Sequence, residues 1–232
     1  MKIHISYAHG RFLESQKECS KSALSVGGFD VSYSLGIKDI EDNFLTKNEK
    51  IFSCPRGAGY WLWKPYFIKK YLEQINIGDI LVYTDSGMTF IKPIWDVHAK
   101  YIKTEDNGVM STGHSGKNSQ YTKRDTFILM NLDYEEYVND RQKTASCNII
   151  VKKENTLNFV NEWLNYSENP NIITDLPNTQ GKDNYTDFID HRHDQSVFSL
   201  LCKKYNVSHC EEGLCQFHQP NNYYLYHHRN NN

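Results

Sequence analysis

Apolar positions in this chain fall into two patterns, one typical of strands and one typical of helices. Short apolar runs predict strands at 2–7, 29–35, 79–83, 108–112 and 144–151. Apolar residues with helical spacing predict helices at 11–26, 66–74, 91–102, 152–166 and 197–205. Because strands and helices alternate from the first residues onward, we expect an α/β fold with a mainly parallel central sheet.

The run 79–83 is the best candidate for an interior strand, because it is apolar after its first residue and suits burial on both faces. Thr84, Asp85 and Ser86 follow it directly. In open α/β sheets, ligands bind at the carboxyl ends of the strands. These three residues are therefore candidate ligand contacts, and Asp85 is the first of them.

The turn after the first strand would lie at the same edge of the sheet. Tyr7 and Ala8 end that strand, in the position that contacts base and ribose in nucleotide-binding α/β domains. We therefore expect them to contact a nucleotide, although an ordinary connecting loop explains them equally well.

Segment 56–64 combines glycines, aromatic residues and two cations. Glycine lets the backbone approach a ligand closely, and Arg56 and Lys64 suit the charge of a diphosphate. The alternative is that Trp61 and Trp63 belong to the core and that Lys64 begins a solvated helix.

Two polar segments precede apolar helices. Thr122 with Asp125 three residues later resembles a capping box, which explains Asp125 as well as a functional role does. The run His191-Arg192-His193-Asp194-Gln195 precedes the helix 197–205. A helix N-terminus favours an acidic residue, but several titratable groups crowded there exceed what capping needs. We therefore expect a functional site at this run.

Composition narrows the class of protein. The 232 residues fit one domain, and an aromatic content of 13% suits a sugar-facing cleft. A net charge of −2 argues against nucleic acid as a partner. The sequence has neither a signal peptide nor the run of about 18 apolar residues expected of an integral membrane segment. The six dispersed cysteines favour a reduced, cytoplasmic protein.

Four segments together resemble glycosyltransferases of the GT-A type, including enzymes of bacterial polysaccharide synthesis and of large algal DNA viruses. They are 57–65, 78–87, 121–125 and 191–201, with 227–229 closing the chain. The resemblance implies a single GT-A domain, with a nucleotide-binding half at 1–90 and an acceptor-side half and closing tail at 91–232. It also implies transfer of a hexose from a nucleotide diphosphate sugar, with UDP-sugar as the expected donor, to a glycan acceptor, with retention.

The same resemblance assigns roles to individual residues. Asp194, Asp125 and His193 are expected to be catalytic. The expected substrate contacts are Trp61, Trp63, Lys123, His191, Arg192 and Gln195.

A metal ion is the remaining expectation. The GT-A hallmark is an Asp-x-Asp pair, but Gly87 occupies the third position here, so Asp85 needs another ligand. The tail pair His227 and His228 is the nearest candidate. Imidazole suits Mn²⁺ better than Mg²⁺, so we expect Mn²⁺, with Mg²⁺ as the alternative.

Two non-catalytic interpretations compete. Cys210, Cys215 and His218 have C-x4-C-x2-H spacing, and His209 or a tail histidine would complete a structural zinc site. That site explains only the last fifth of the chain. A carbohydrate-binding domain would explain the aromatic residues, but it would need neither Asp85 nor Asp194.

Overall fold

The computed structural model describes residues 1–95, 107–210, 214–216 and 223–227. Its strands are β1 (Lys2–Tyr7), β2 (Val31–Leu35), β3 (Ile80–Thr84), β4 (Met88–Phe90), β5 (Val109–Ser111), β6 (His114–Lys117), β7 (Arg141–Lys143), β8 (Cys147–Val151), β9 (Ser208–His209), β10 (Cys215–Gln216) and β11 (Leu225–His227). Its helices are α1 (Leu13–Ser25), α2 (Asp42–Lys47), α3 (Glu49–Phe52), α4 (Gly57–Tyr60), α5 (Trp63–Gln74), α6 (Asn118–Tyr121), α7 (Arg124–Leu129), α8 (Glu135–Val138), α9 (Thr156–Ser167), α10 (Pro170–Ile173) and α11 (Asp194–Lys204). Short 3-10 turns lie at Gly10–Phe12 and Ile37–Asp39.

Six strands form the central sheet in the order β2-β1-β3-β8-β5-β9. β1 is parallel to β2 and β3, and β9 is parallel to β5. β8 is antiparallel to both of its neighbours, β3 and β5. Five of the six strands therefore run in one direction, which confirms the predicted α/β fold with a mainly parallel sheet.

β3 lies inside the sheet and is buried along its whole length, as the apolar run 79–83 predicts. Leu81 and Tyr83 pack into the core on the α5 face, whereas Ile80 and Val82 pack on the opposite face, which α1 covers. Full burial of one such aliphatic side chain stabilises the fold by about 1.5–3 kcal/mol. Packing on both faces therefore fixes β3, and with it the position of Asp85 at its carboxyl end.

The helix predictions agree with the structure except at their ends. The predicted helix 11–26 begins with a 3-10 turn before α1, and α11 begins at Asp194, three residues before the predicted start. Most of the predicted helix 91–102 lies outside the described residues. Within the described ranges, no helix has the length and apolar character needed to cross a membrane.

The end of the chain returns to the central strand through a second, smaller sheet. Its order is β10-β11-β4, and β11 runs antiparallel to β4 with His227 opposite Met88. Since β4 begins three residues after Asp85, this pairing brings the tail to the sheet edge where β3 ends.

Candidate active site

Two clefts open at the carboxyl ends of β1 and β3 and meet at Asp85. The first, of about 520 Å³, is bounded by these strand ends, the 3-10 turn after β1 and the glycine-rich turn of α4. The second, of about 500 Å³, is bounded by β6 and by the segment that enters α11. Trp61, Asp85 and His227 line both clefts. Ligands in the two clefts would therefore approach each other at these shared residues.

A buried cation joins the two acidic residues that the sequence singles out. Lys64 is 3% exposed, and its Nζ lies 3.0 Å from Asp194 Oδ2 and 3.7 Å from Asp85 Oδ1. Tyr83 donates its hydroxyl to Asp85 Oδ1 at 2.6 Å. The expected diphosphate contact Lys64 is thus a bridge between two carboxylates.

Burial sets the protonation of this cluster. It raises the pKa of Asp194 to about 6, because the ammonium of Lys64 offsets the burial only in part and Asp85 adds negative charge. Burial also opposes the charge of Lys64, but the two carboxylates outweigh it and raise its pKa. Burial first, and then Asp85, raise the pKa of Tyr83 well above its usual value. A carboxyl with a pKa of about 6 therefore lies beside an ammonium whose pKa is raised.

The backbone around the clefts adopts unusual conformations. Ala58, Tyr60 and Trp61 have φ of 50°, 51° and 60°, and His193 has φ of 55°. Such conformations cost about 1–3 kcal/mol each in non-glycine residues and cluster at functional sites. The rings of Trp61 and His193 stack with centroids 5.4 Å apart. This contact joins the two strained segments at the second cleft.

The first cleft has an aromatic wall. The rings of Tyr7 and Trp63 stack with centroids 3.9 Å apart, and Trp63 Nε1 donates to the carbonyl of Gly57 at 2.9 Å. Burial raises the pKa of Tyr7 to about 12, and its buried hydroxyl has no hydrogen-bond partner in the described part of the chain. Ala8 and Ser86 also line this cleft. Buried hydroxyl groups almost always form a hydrogen bond, so a ligand in the cleft is one candidate partner for the Tyr7 hydroxyl.

Sequence reasoning missed one cation of the first cleft. Arg11 lines it from the 3-10 turn that follows β1. The available signal was position, because the sheet-edge rule that selects Tyr7 and Ala8 extends to the residues just after them. The structure places the expected diphosphate contact Arg56 in the second cleft, where it pairs with Asp175 at 2.9 Å.

The run His191-Arg192-His193-Asp194-Gln195 lines the second cleft as a unit. The side chains of His191 and His193 contact the carbonyls of Ile172 and Ile173, each at 2.8 Å. Burial lowers the pKa of His193 to about 4 and that of His191 well below its usual value. Both imidazoles are therefore neutral near pH 7, and each ring is oriented by a backbone carbonyl.

Other contacts hold the two remaining residues of this run. Arg192 pairs with Asp190 at 3.0 Å, and Gln195 donates to Gln142 at 2.8 Å. These contacts fix the start of α11 around Asp194.

Two of the expected site residues, Thr84 and Asp125, form hydrogen bonds with other parts of the protein. Thr84 is buried and bonds to His4 at 2.8 Å, and burial lowers the pKa of that histidine to about 3. The carboxylate of Asp125 accepts hydrogen bonds from Thr179 N at 2.7 Å and from Gln180 N at 3.1 Å. Asp125 therefore anchors the loop that follows α10, a contact with residues more than fifty positions away that a capping box does not describe.

A divalent cation at Asp85 would need further ligands. The described residues contain no group of three or more His, Cys, Asp or Glu side chains that could hold a metal ion. Asp85 and His227 line the same clefts, whereas His228 lies outside the described residues. One carboxylate and one imidazole leave most coordination positions to other oxygens. These residues fit a cation that arrives with a diphosphate better than one held by the protein alone.

The structure describes the candidate zinc ligands only in part. Cys19, Cys54, Cys147 and Cys202 form no disulfide, and Cys210 is buried. Of the expected zinc ligands, the side chain of Cys215 and the whole of His218 lie outside the described residues.

Comparisons with known proteins identify the fold. No model of a protein family matches the sequence, and no curated protein matches it either. Mouse xyloside xylosyltransferase 1 is similar in structure over 99% of this chain and 97% of its own, with 8% identity and a TM-score of 0.51. A glycosyltransferase involved in glycosylation of the major capsid of PBCV-1 is similar over 100% of this chain and 94% of its own, with 9% identity and a TM-score of 0.51.

The galactosyltransferase LgtC, solved with donor and acceptor sugar analogs, is also similar. It matches 99% of this chain and 87% of its own, with 12% identity and a TM-score of 0.50. Together these likenesses define the class by its fold: a mixed α/β protein built like glycosyltransferases. The chain has the GT-A glycosyltransferase fold, which confirms the resemblance at the level of the fold.

Proposed function

We propose that this chain is a glycosyltransferase that moves a hexose from a nucleotide diphosphate sugar, most simply a UDP-sugar, to a hydroxyl of a glycan. One observation carries the proposal: two clefts of similar size meet at Asp85, whose half-buried carboxylate lies beside the buried pair of Lys64 and Asp194. A two-substrate transfer needs such a junction, because donor and acceptor must meet while water is excluded.

The first cleft suits the donor. Tyr7 and Ala8 lie where a nucleotide binds at the end of the first strand, and Arg11 supplies a cation for the diphosphate. Ser86 and Asp85 also line this cleft, and Asp85 lines the second one as well. The sugar of a donor bound in this way would reach the junction between the clefts.

Asp85 and His227 are the residues that would hold a divalent cation, for which we propose Mn²⁺ with Mg²⁺ as the alternative. When bound, the cation supplies positive charge to the diphosphate leaving group. Tyr83 contributes independently of the metal, because its hydrogen bond holds the carboxylate of Asp85 in place.

Asp194 is the proposed catalytic carboxylate. It lines the second cleft, which we take as the acceptor-side cleft. Its pKa of about 6 suits a base that receives the proton of an acceptor hydroxyl near neutral pH. The resemblance favours retention, in which case the same carboxylate orients hydroxyls of the donor sugar. The anomer formed first, read by NMR, separates these two roles.

A panel of nucleotide sugars tests the proposal. The purified chain is incubated with UDP-, GDP- and TDP-sugars and with Mn²⁺, Mg²⁺ or a chelator, and the released nucleotide diphosphate is measured. We expect slow hydrolysis of one donor class and loss of it in Asp85→Asn. If no nucleotide sugar binds or reacts, the proposal is wrong. Sugar binding without hydrolysis or transfer would instead favour a non-catalytic carbohydrate-binding domain.

A further inference from the structure

A third, smaller pocket of about 230 Å³ adjoins the acceptor-side cleft. The two share Arg56, Asp190 and His191 as lining residues. Lys123 and residues of the loop that follows α10, among them Leu176, form the rest of the wall. A substituent on an acceptor in the cleft therefore has a neighbouring pocket to enter.

Lys123 is a buried cation at the wall of this pocket. It is 3% exposed, and its Nζ donates to the carbonyl of Leu176 at 3.0 Å. Among the described residues, no carboxylate lies within salt-bridge distance of it. An ammonium has three N–H donors, so this single bond leaves two of them for other acceptors. Burying a charge without a partner is costly, and such groups are frequent at binding sites.

Two neighbouring carboxylates are already paired with arginines. Asp175 pairs with Arg56 at 2.9 Å, and Asp190 pairs with Arg192 at 3.0 Å. These two carboxylates therefore oppose an incoming anion less than free ones would, and Lys123 remains a cation without a salt bridge among the described residues. Burial lowers its pKa, although Asp125 and Asp175 act in the opposite direction. An anion beside the ammonium would favour its charged form.

Hydrogen bonds between residues of the protein hold the pocket in shape. The loop is tied to Asp125, and the amide oxygen of Asn184 accepts hydrogen bonds from Arg124 N at 2.8 Å and from Asn178 at 2.9 Å. Because two donors face that oxygen, the NH₂ group of Asn184 is left to donate into the pocket, in addition to Lys123. A preformed pocket with donors and a buried ammonium is matched to an anion.

We propose that this pocket binds an anionic substituent of the acceptor sugar, a carboxylate or a phosphate, with Lys123 as its counter-ion. The proposal rests on the proposed function, because it takes the adjoining cleft as the acceptor site. It narrows the acceptor to an acidic glycan.

Matched pairs of sugars test it by calorimetric titration without a donor. The probes are methyl glucuronide, its neutral methyl ester, methyl glucoside and glucose 6-phosphate. We expect one of the two anionic sugars to bind at least about tenfold more tightly than its neutral counterparts, the scale of one hydrogen bond to a charged group. The identity of the preferred anion separates carboxylate from phosphate. Raising the salt concentration should reduce the preference.

Substitutions of Lys123 test whether this residue causes the preference for anionic sugars. Lys123→Met should remove it, and Lys123→Arg should retain part of it. The matched control is Lys182→Met, because this exposed lysine lies on the loop that follows α10 but does not line the pocket and pairs with Asp133 at 3.1 Å. If Lys123→Met does not fold, the comparison of acid and methyl ester on the unaltered chain still decides. Equal binding of anionic and neutral sugars overturns the inference, whereas donor hydrolysis in the same preparation leaves the proposed function standing.

Discussion

Asp194→Asn separates a catalytic role of the charged cluster from a structural one. The substitution conserves shape but removes the negative charge that lies 3.0 Å from Lys64 Nζ. Asp85 then remains as the only carboxylate near the ammonium in the cluster, at 3.7 Å. Leaving a buried charge uncompensated costs about 3–5 kcal/mol. Because Asp85 remains, and because burial already opposes the charge of Asp194, we expect a smaller loss of about 2 kcal/mol, which corresponds to a Tm lower by about 4–8 °C for a chain of this length.

A second substitution separates the loss of stability from the loss of activity. The double variant Lys64→Met with Asp194→Asn has no unpaired ammonium, so most of the lost stability should return. Donor hydrolysis and transfer should fall by about 100-fold or more in Asp194→Asn and stay low in the double variant, because the carboxylate is still absent. Thermal unfolding by circular dichroism and kcat measured well below both Tm values provide the two readouts.

Glu162→Gln is the matched control, since it neutralises a carboxylate that pairs with Lys204 on the surface, away from both clefts. We expect it to change stability by less than about 1 kcal/mol and to leave kcat unchanged. Recovery of activity together with stability in the double variant would refute the reasoning. The loss in Asp194→Asn would then be a folding defect.

Three further outcomes follow from the same geometry. The kcat of donor hydrolysis should rise as the pH increases through about 6, because the carboxylate of Asp194 is charged only above its pKa. A kcat that stays constant between about pH 5 and 8 would contradict this role of Asp194. Asp125→Asn should lower Tm by about 4–10 °C in a thermal melt, because a buried acceptor of loop hydrogen bonds gains an unsatisfied NH₂ group, while kcat of the folded protein changes little. His227→Ala should weaken Mn²⁺-dependent donor binding by at least about tenfold in calorimetry without lowering Tm, and unchanged affinity would exclude His227 as a ligand.

The sequence predicts best what depends on local pattern and on rules of strand geometry. The apolar run before Thr84 is enough to identify an interior strand, and the sheet-edge rule then selects Asp85, Tyr7 and Ala8. The same local reasoning finds the run at 191–195. The structure brings all of these residues to two adjoining clefts.

Features that depend on distant parts of the chain escape such reasoning. The run 144–151 predicts a strand, but nothing in it indicates that β8 is antiparallel to its neighbours. The sequence predicts Lys64 as a diphosphate contact, with a solvated helix start as the alternative. It does not predict the burial of Lys64 between two carboxylates, because these come from the carboxyl end of β3 and from α11. The hydrogen bonds of Asp125 reach residues more than fifty positions away.

The cost of the buried cluster is itself an argument about function. A buried ion pair contributes little net stability compared with apolar residues of similar volume, because both charges lose their hydration. Here the ammonium of Lys64 and the carboxylate of Asp194 are both buried, at 3% and 2% exposure, whereas Asp85 is half-buried at the edge of the pair. Asp85 lines both clefts and Asp194 lines the second, so Lys64 connects the charge at the donor side with the charge at the acceptor side. A change of charge at Asp85 is therefore felt at Asp194, whose pKa already responds to both neighbours. A cluster with that coupling fits the proposed transfer between two adjoining substrates.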